Sequence, residues 1–92
     1  MLYNVYVHIV YILASIINPS KYYIGITQDL KKGLAEHNSG MSYYSKRYAP
    51  WRVETCISFS SKILAEGFEK YLKVGSGNAF LKKRLIPPIR AK

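Results

Sequence analysis

Cations and aromatic rings are interleaved over residues 42–52, which read SYYSKRYAPWR. Lysine and arginine side chains bind phosphate oxygens, and aromatic rings stack on nucleic-acid bases. The residues of this segment with such side chains are Tyr43, Tyr44, Lys46, Arg47, Tyr48, Trp51 and Arg52. A second basic group, Lys82, Lys83 and Arg84, follows near the end of the chain. Both groups indicate a nucleic-acid-binding surface, and the alternative is a tyrosine-rich packing segment with solvated lysines.

The overall charge favours the same kind of partner. The 92 residues include 14 Lys and Arg against 5 Asp and Glu, a formal net charge of +9. Such a field attracts polyanions, nucleic acid before an acidic membrane, although solubility alone can also explain a basic chain. Residues 1–20 have no formal charge apart from a possible one on His8, so this part is expected to form core.

Two polar side chains lie at helical positions where they are able to do chemistry. A later predicted helix has an apolar stripe that matches an amphipathic helix, formed by Leu64, Ala65, Phe68, Tyr71 and Leu72. Glu69 flanks this stripe, four residues after Ala65 and three before Leu72, so its carboxylate can point along a sheet or simply into solvent. His37 ends an earlier predicted helix and shares one face of it with Gly33, four residues before. Gly33 is unexpected there, because glycine in a helix interior costs about 1 kcal/mol relative to alanine.

The elements that must position these side chains follow from periodicity and from turn residues. We expect strands over residues 2–13, 21–26 and 51–59, and helices over 28–37, 62–74 and 78–85. Thr27 is the expected N-cap of the first helix, residues 38–50 are expected to form a loop, and Gly75–Gly77 to break the second helix. The order β-β-α-β-α-α predicts an α+β fold with a small, three-stranded, mainly antiparallel sheet flanked by helices.

Length and cysteine content limit the possibilities further. The chain suits a single domain over residues 1–86 with a basic, flexible tail over 87–92. Cys56, the only cysteine, is expected to be a small buried residue of a strand, in a cytoplasmic setting. The apolar segment VYVHIVYILASII is too short to span a bilayer and has no basic leader, so no membrane partner is expected.

Three segments in order carry a family resemblance. VYIL (residues 10–13) is followed by YYIG (22–25), then by DLKKGLAEHNSG (29–40), and later by FEKYLKVGSG (68–77). In this order and spacing the chain resembles the GIY-YIG nuclease family, in particular its small single-domain bacterial members and the GIY-YIG domain of the excision-repair incision nuclease. The resemblance covers roughly residues 5–85. It implies an endonuclease that hydrolyses DNA phosphodiester bonds.

The resemblance also implies roles for individual residues. It makes Glu69 the ligand of one divalent ion, Mg²⁺ or Mn²⁺, for which a carboxylate is a suitable hard ligand. It places Tyr11 and Tyr23 at the catalytic tyrosines, either of which is a candidate base, with core packing as the alternative for both. It gives His37 a part in proton transfer or phosphate contact, with capping of helix carbonyls as the alternative.

Gly33 departs from the family pattern, which usually has an arginine at this position to stabilise the scissile phosphate. Lys32, Lys46 and Arg47 are the nearby cations, and Asn78 is a weaker candidate for contact with nucleic acid. Two alternatives to an active enzyme therefore stay open at this point. One is a DNA-binding module that has lost catalysis, and the other is a basic domain that binds RNA or a protein. The sequence does not indicate an oligomeric state.

Overall fold

The computed structural model describes residues 7–40 and 42–87. Three strands form an antiparallel sheet in the order β2-β1-β3, where β1 is His8–Ser15, β2 is Tyr22–Thr27 and β3 is Trp51–Phe59. β1 is buried from Val10 to Ser15, because strands flank it on both sides and helices cover both faces. The predicted α+β fold and central first strand are confirmed, and residues 2–6 of that predicted strand lie outside the described part.

Helices on the two faces of the sheet create two cores. Helix α1 (Leu30–Asn38) lies on one face, and α3 (Lys62–Lys73), α4 (Gly75–Phe80) and a π-helical turn (Leu81–Leu85) lie on the other. Alternate residues of β1 point to opposite faces. The α1-side core therefore contains Tyr11, Leu13 and Trp51. The α3-side core contains Val10, Ile12, Ile24, Ala65, Leu72, Leu81 and Ile86.

The start of α1 differs from the expectation. The N-cap is Asp29, whose carboxylate accepts a hydrogen bond from the backbone N–H of Lys32 at 3.1 Å. The Thr27 hydroxyl instead accepts from the N–H of Asp29 at 3.0 Å, two residues before the cap of the helix. Asp29 is the stronger cap because its carboxylate is charged and faces the positive end of the helix dipole.

The segment expected to be a loop contains a helix, α2 (Tyr43–Tyr48). Ser42 caps this helix through its hydroxyl, which accepts from the N–H of Ser45 at 3.1 Å. A connection of 13 residues without any secondary structure is uncommon in a small domain, so a short capped helix is physically reasonable.

The later elements need three corrections. α3 ends at Lys73 and α4 begins at Gly75, not at Asn78, because only the link at Val74 is extended and Gly75 adopts a φ of 54° that glycine tolerates. Leu64 and Tyr71, expected in the α3 core stripe, are 63% and 43% exposed. Cys56 is exposed, because β3 is an edge strand.

In residues 7–40 and 42–87, no helix combines the length and apolar character needed to cross a bilayer.

Candidate active site

The Tyr11 side chain packs closely against Gly25 on the neighbouring strand of the sheet. Its partner across the strands is Gly25 of β2, and a Cβ built on Gly25 would lie 2.5 Å from both Cζ and Oη of Tyr11. Real Cβ atoms do not approach so closely, so any larger residue would displace the Tyr11 phenol. Gly25 therefore permits the close approach of the Tyr11 side chain.

A chain of hydrogen bonds runs from the Tyr11 hydroxyl across α1 to α2. The Tyr11 hydroxyl lies 3.1 Å from His37 Nε2, and His37 Nδ1 lies 2.5 Å from the Ser45 hydroxyl oxygen. The Ser42 hydroxyl donates to the same Ser45 oxygen at 3.0 Å. Either neutral tautomer of His37 satisfies both contacts, since each hydroxyl is able to donate or accept. The imidazole is therefore fixed at both nitrogens.

Aromatic rings surround this chain on the β2 side. The Tyr23 ring packs on the His37 imidazole with centroids 4.2 Å apart, and it lies 6.3 Å from the Tyr11 ring. Tyr44 of α2 follows at 6.4 Å from Tyr23, and its hydroxyl donates to the backbone carbonyl of Tyr22 at 3.0 Å. The two tyrosines expected in the site thus share one imidazole, and only Tyr11 bonds to it directly.

Burial keeps the acid–base groups of the site neutral. Desolvation by burial, together with the nearby Tyr23, Glu36 and Glu69, raises the pKa of Tyr11 to about 12. Desolvation also lowers the pKa of His37 from 6.5, an effect that Glu36 partly opposes. At neutral pH, Tyr11 is therefore a phenol and His37 a neutral imidazole that accepts or relays a proton.

Glu69 lies on α3, which packs across β1 and edge strand β2 on the opposite face from α1. Its carboxylate is 16% exposed and forms an ion pair with Lys73 at 2.5 Å, one turn along the helix. Its charge contributes to the raised pKa of Tyr11, so the two groups are electrostatically coupled. Within residues 7–40 and 42–87, no three His, Cys, Asp or Glu side chains converge on a point that a metal ion could occupy.

Gly33 is buried, yet packing does not require a glycine there. A Cβ at this position would meet the Thr27 side chain at 3.7 Å, an ordinary van der Waals contact. Thr27 also lines an open cleft of about 270 Å³, together with Lys62 and Glu66 of α3. The position therefore has room for a Cβ.

The nearby cations do not replace the missing arginine at this position. Lys32 is exposed on α1, and Lys46 packs against Gly40. The Arg47 guanidinium lies over the Tyr48 ring, 5.4 Å from its centroid. Contact of these three cations with nucleic acid stays a prediction.

The remaining predicted binding residues lie away from Tyr11 and His37. Arg52 pairs with Glu54 at 3.2 Å and lies opposite Ala14, on the α3 face of the sheet. Lys82 and Lys83 are exposed on the π-helical turn. The Asn78 amide donates to the carbonyl of Leu72 at 3.1 Å, which gives it a structural partner. The structure does not bring these four residues into the site, and their contact with nucleic acid stays a prediction.

Sequence reasoning missed Ser42 and Ser45, which orient His37. Ser45 is fully buried, and its carbonyl also accepts a hydrogen bond from the Trp51 indole at 2.9 Å. The available signal was the spacing S-x-x-S at the start of the tyrosine-rich segment, which is typical of a helix N-cap.

The fold and this set of side chains define a small nuclease-type domain, and comparison with known sequences agrees. The GIY-YIG catalytic domain family matches residues 7–83, so the chain belongs to the GIY-YIG nuclease family. Members of this family generally use a divalent metal ion.

Two relatives illustrate the similarity. Over 67 residues the chain is 40% identical to the structure-specific endonuclease subunit SLX1 of Scheffersomyces stipitis, covering 65% of this chain. The match spans a fifth (20%) of the length of that longer protein. The solution NMR structure of the UPF0213 protein BH0048 from Bacillus halodurans has the same fold, with a TM-score of 0.53, 24% identity and 94% of both chains covered.

Proposed function

We propose that the protein is a metal-dependent endonuclease that hydrolyses phosphodiester bonds in DNA, with branched or flapped DNA as its substrate class. The observation that supports this most strongly is the Tyr11–His37–Ser45 hydrogen-bond chain in electrostatic reach of Glu69. It combines a proton-transfer pair, a group that orients it and a carboxylate, which are among the components that hydrolysis of a phosphodiester requires.

In this proposal the proton moves through named atoms. A water molecule attacks phosphorus and loses a proton to the Tyr11 oxygen, while the Tyr11 proton moves to His37 Nε2. Ser45 holds Nδ1, so the imidazole keeps its orientation while its charge changes. The bond from phosphorus to the leaving oxygen breaks, and that oxygen takes up a proton. The raised pKa of Tyr11 means that this transfer needs positive charge nearby.

Glu69 fits the role of metal ligand that the family implies. Mg²⁺ and Mn²⁺ accept hard oxygen ligands, and Mg²⁺ commonly binds one or two carboxylates while phosphate and water fill its remaining positions. A single partly covered carboxylate meets that requirement without a cluster of further ligands, and Lys73 holds it in position. When bound, the ion supplies a Lewis acid that polarises the phosphate and lowers the pKa of water.

The DNA substrate is supported by charge and by one relative. A net charge of +9 attracts phosphate backbones. The S. stipitis relative is a structure-specific endonuclease subunit, which favours branched DNA and a role in DNA repair. We also propose that the protein works in the cytoplasm, as expected for a chain with a single cysteine.

The test is a nicking assay on supercoiled plasmid, a four-way junction, a 5′ flap and an RNA hairpin, each with Mg²⁺, Mn²⁺ or EDTA. The matched control is Glu69→Gln, which keeps the shape of the side chain and removes its charge. We expect metal-dependent cutting of branched DNA that is lost in the variant. Equal products from wild type and Glu69→Gln on every substrate would refute the proposal, and cutting of the RNA alone would reassign the substrate.

A second function is favoured by one observation. Gly33 leaves the position of the family arginine without a cation, although a Cβ there would make only an ordinary contact with Thr27. The chain would then be a DNA-binding module with impaired catalysis. This alternative predicts metal-independent, salt-sensitive DNA binding, with cutting that appears in Gly33→Arg. Efficient cutting by the wild-type protein would exclude it.

A further inference from the structure

Two consecutive isoleucines are exposed where β1 ends. Ile16 is 53% and Ile17 62% exposed, and both belong to the β1–β2 loop, residues 16–21. Neither side chain belongs to a core cluster among the described residues. Two adjacent exposed isoleucines offer apolar surface that a binding partner can cover.

The β1–β2 loop holds these side chains in a fixed position. The N–H of Ile16 donates to the carbonyl of Pro50 at 2.9 Å, and the N–H of Ser15 donates to that of Lys21 at 3.0 Å. Asn18 closes the turn, because its N–H donates to the Ser15 hydroxyl at 3.0 Å and its side-chain oxygen accepts from the Ser20 hydroxyl at 2.8 Å. The apolar tip is therefore preorganised, which lowers the entropy lost on binding.

Cations and aromatic rings flank this loop. The Lys21 ammonium lies 5.5 Å and the Arg47 guanidinium 5.4 Å from the centroid of the Tyr48 ring. Tyr44 packs edge-on against the same ring at 5.1 Å. α2 is joined to the end of β1, since the Ser15 hydroxyl donates to the carbonyl of Tyr48 at 2.6 Å. The loop and α2 thus present apolar side chains beside two cations on one surface.

We propose that this surface binds the branch point of a DNA substrate. Ile16 and Ile17 pack against the exposed faces of bases at the branch, where stacking is interrupted, and Lys21 and Arg47 bind the adjoining phosphates. A continuous duplex offers no exposed base face, so the isoleucines discriminate branched from linear DNA. The inference deepens the proposed function in its choice of DNA, but it does not depend on cleavage.

The positive charge of the chain favours DNA over a second copy of the chain as the molecule bound to this surface. A second copy of the chain would also be at +9, so its approach is opposed by repulsion. Apolar wedges beside basic residues are a common means by which proteins bind distorted DNA. Tyr11 and Ile16 are five residues apart on an extended chain, or roughly 16 Å. At 3.4 Å per base pair, the reacting phosphate would lie about five nucleotides from the branch.

The test measures DNA binding without metal, so that it is independent of catalysis. The variant is the double substitution Ile16→Ser and Ile17→Ser, and the matched control is Ile63→Ser, an 80% exposed isoleucine on α3. Fluorescence anisotropy in EDTA compares a 5′ flap with a linear duplex of equal length. We expect the double variant to bind the flap about tenfold more weakly and the duplex within twofold of wild type, with the control unchanged.

Three results would overturn the proposal. They are unchanged flap binding by the double variant, equal losses on flap and duplex, and tighter wild-type binding to an RNA hairpin or linear duplex than to the flap. A protein with no nuclease activity that still shows the flap-selective loss would refute the proposed function and leave this inference standing.

A second arm tests the cations. Lys21→Gln and Arg47→Gln should each weaken flap and duplex alike and reduce the slope of log K against log salt by about one. Lys70→Gln on α3, an exposed lysine of equal charge, is the control and should change neither. Unchanged slopes in both variants would show that these cations do not contact phosphate, and would contradict the proposed surface.

Discussion

Replacing Gly33 by alanine tests whether this glycine is needed for packing or marks a site where a side chain has been lost. Gly33 is buried in α1, and the added Cβ would meet the Thr27 side chain at 3.7 Å without displacing it. No backbone is among the atoms nearest to that Cβ. We therefore predict that Gly33→Ala stabilises the protein.

Two contributions determine how much Gly33→Ala should raise the free energy of unfolding. Alanine is favoured over glycine in a helix interior by about 0.5–1 kcal/mol. A methyl group that is fully covered adds at most about 0.8 kcal/mol. The sum is about 0.5–1.8 kcal/mol, which for a domain of this size raises the Tm by roughly 2–14 °C.

Urea and thermal unfolding of wild type, Gly33→Ala and Gly67→Ala provide the measurement. Gly67 is a helix-interior glycine of α3 whose added Cβ would meet nothing within 4 Å, so it isolates the propensity contribution. Gly33→Ala should be stabilising, and by at least as much as Gly67→Ala. A destabilised Gly33→Ala beside a stabilised Gly67→Ala would show that α1 requires a glycine, and would refute the interpretation of Gly33 as a lost side chain.

Three further outcomes are expected. Gly77→Ala should destabilise the protein by about 3 kcal/mol or more in urea unfolding, since its Cβ would overlap the backbone carbonyl of Tyr71, and stability equal to wild type would contradict that packing. The free energy of unfolding should fall as pH is lowered from 7.5 to 5.5, because the pKa of His37 is lowered in the fold and the unfolded chain takes up the proton first. That slope should be smaller in His37→Gln, and an identical slope would contradict it. Ser45→Ala should cost about 1–3 kcal/mol because it leaves His37 Nδ1 and the Ser42 hydroxyl without their partner, whereas wild-type stability would mean that water replaces the contact.

Much of the fold was predictable because the hydrophobic pattern is strong. β1 is nearly continuous in apolar residues, which fits a strand covered on both faces, and β3 begins at Trp51 as expected. Local residue type indicates Ser60 or Ser61 as the cap of α3, and the structure shows Ser61, whose hydroxyl accepts from the N–H of Leu64. Such features depend on residues that are close in sequence.

The errors have a common physical cause, which is tertiary context. Cys56 has an apolar environment in the sequence, but its strand lies at the edge of the sheet. Leu64 and Tyr71 match the period of α3, yet they lie beside the core and not in it. The spacing of apolar residues shows which face of a helix is buried, but how much of that face is buried depends on the elements that pack against it.

The sequence identified the candidate residues of the site, but not the hydrogen bonds that join them. Tyr11, Tyr23, His37 and Glu69 followed from motif order, although their catalytic roles stay predictions. The contact of Tyr11 with His37 joins residues 26 positions apart, and the part played by Ser45 depends on a short helix that was expected to be a loop. Long-range hydrogen bonds of this kind depend on packing, which a single sequence does not specify.

The most direct test of the central claim is single-turnover cleavage of a 5′-labelled flap by wild type, Glu69→Gln and Gly33→Arg, each with Mg²⁺ or Mn²⁺ and with EDTA. We predict that the wild-type protein cuts the flap only with metal, and that Glu69→Gln cuts it at least about 100-fold more slowly. Gly33→Arg should cut faster than wild type, because its added cation stabilises the transition state. Flap binding by all three proteins should be preserved. Wild-type cleavage that is no faster than that of Glu69→Gln, with flap binding intact, would contradict the claim that this site hydrolyses DNA.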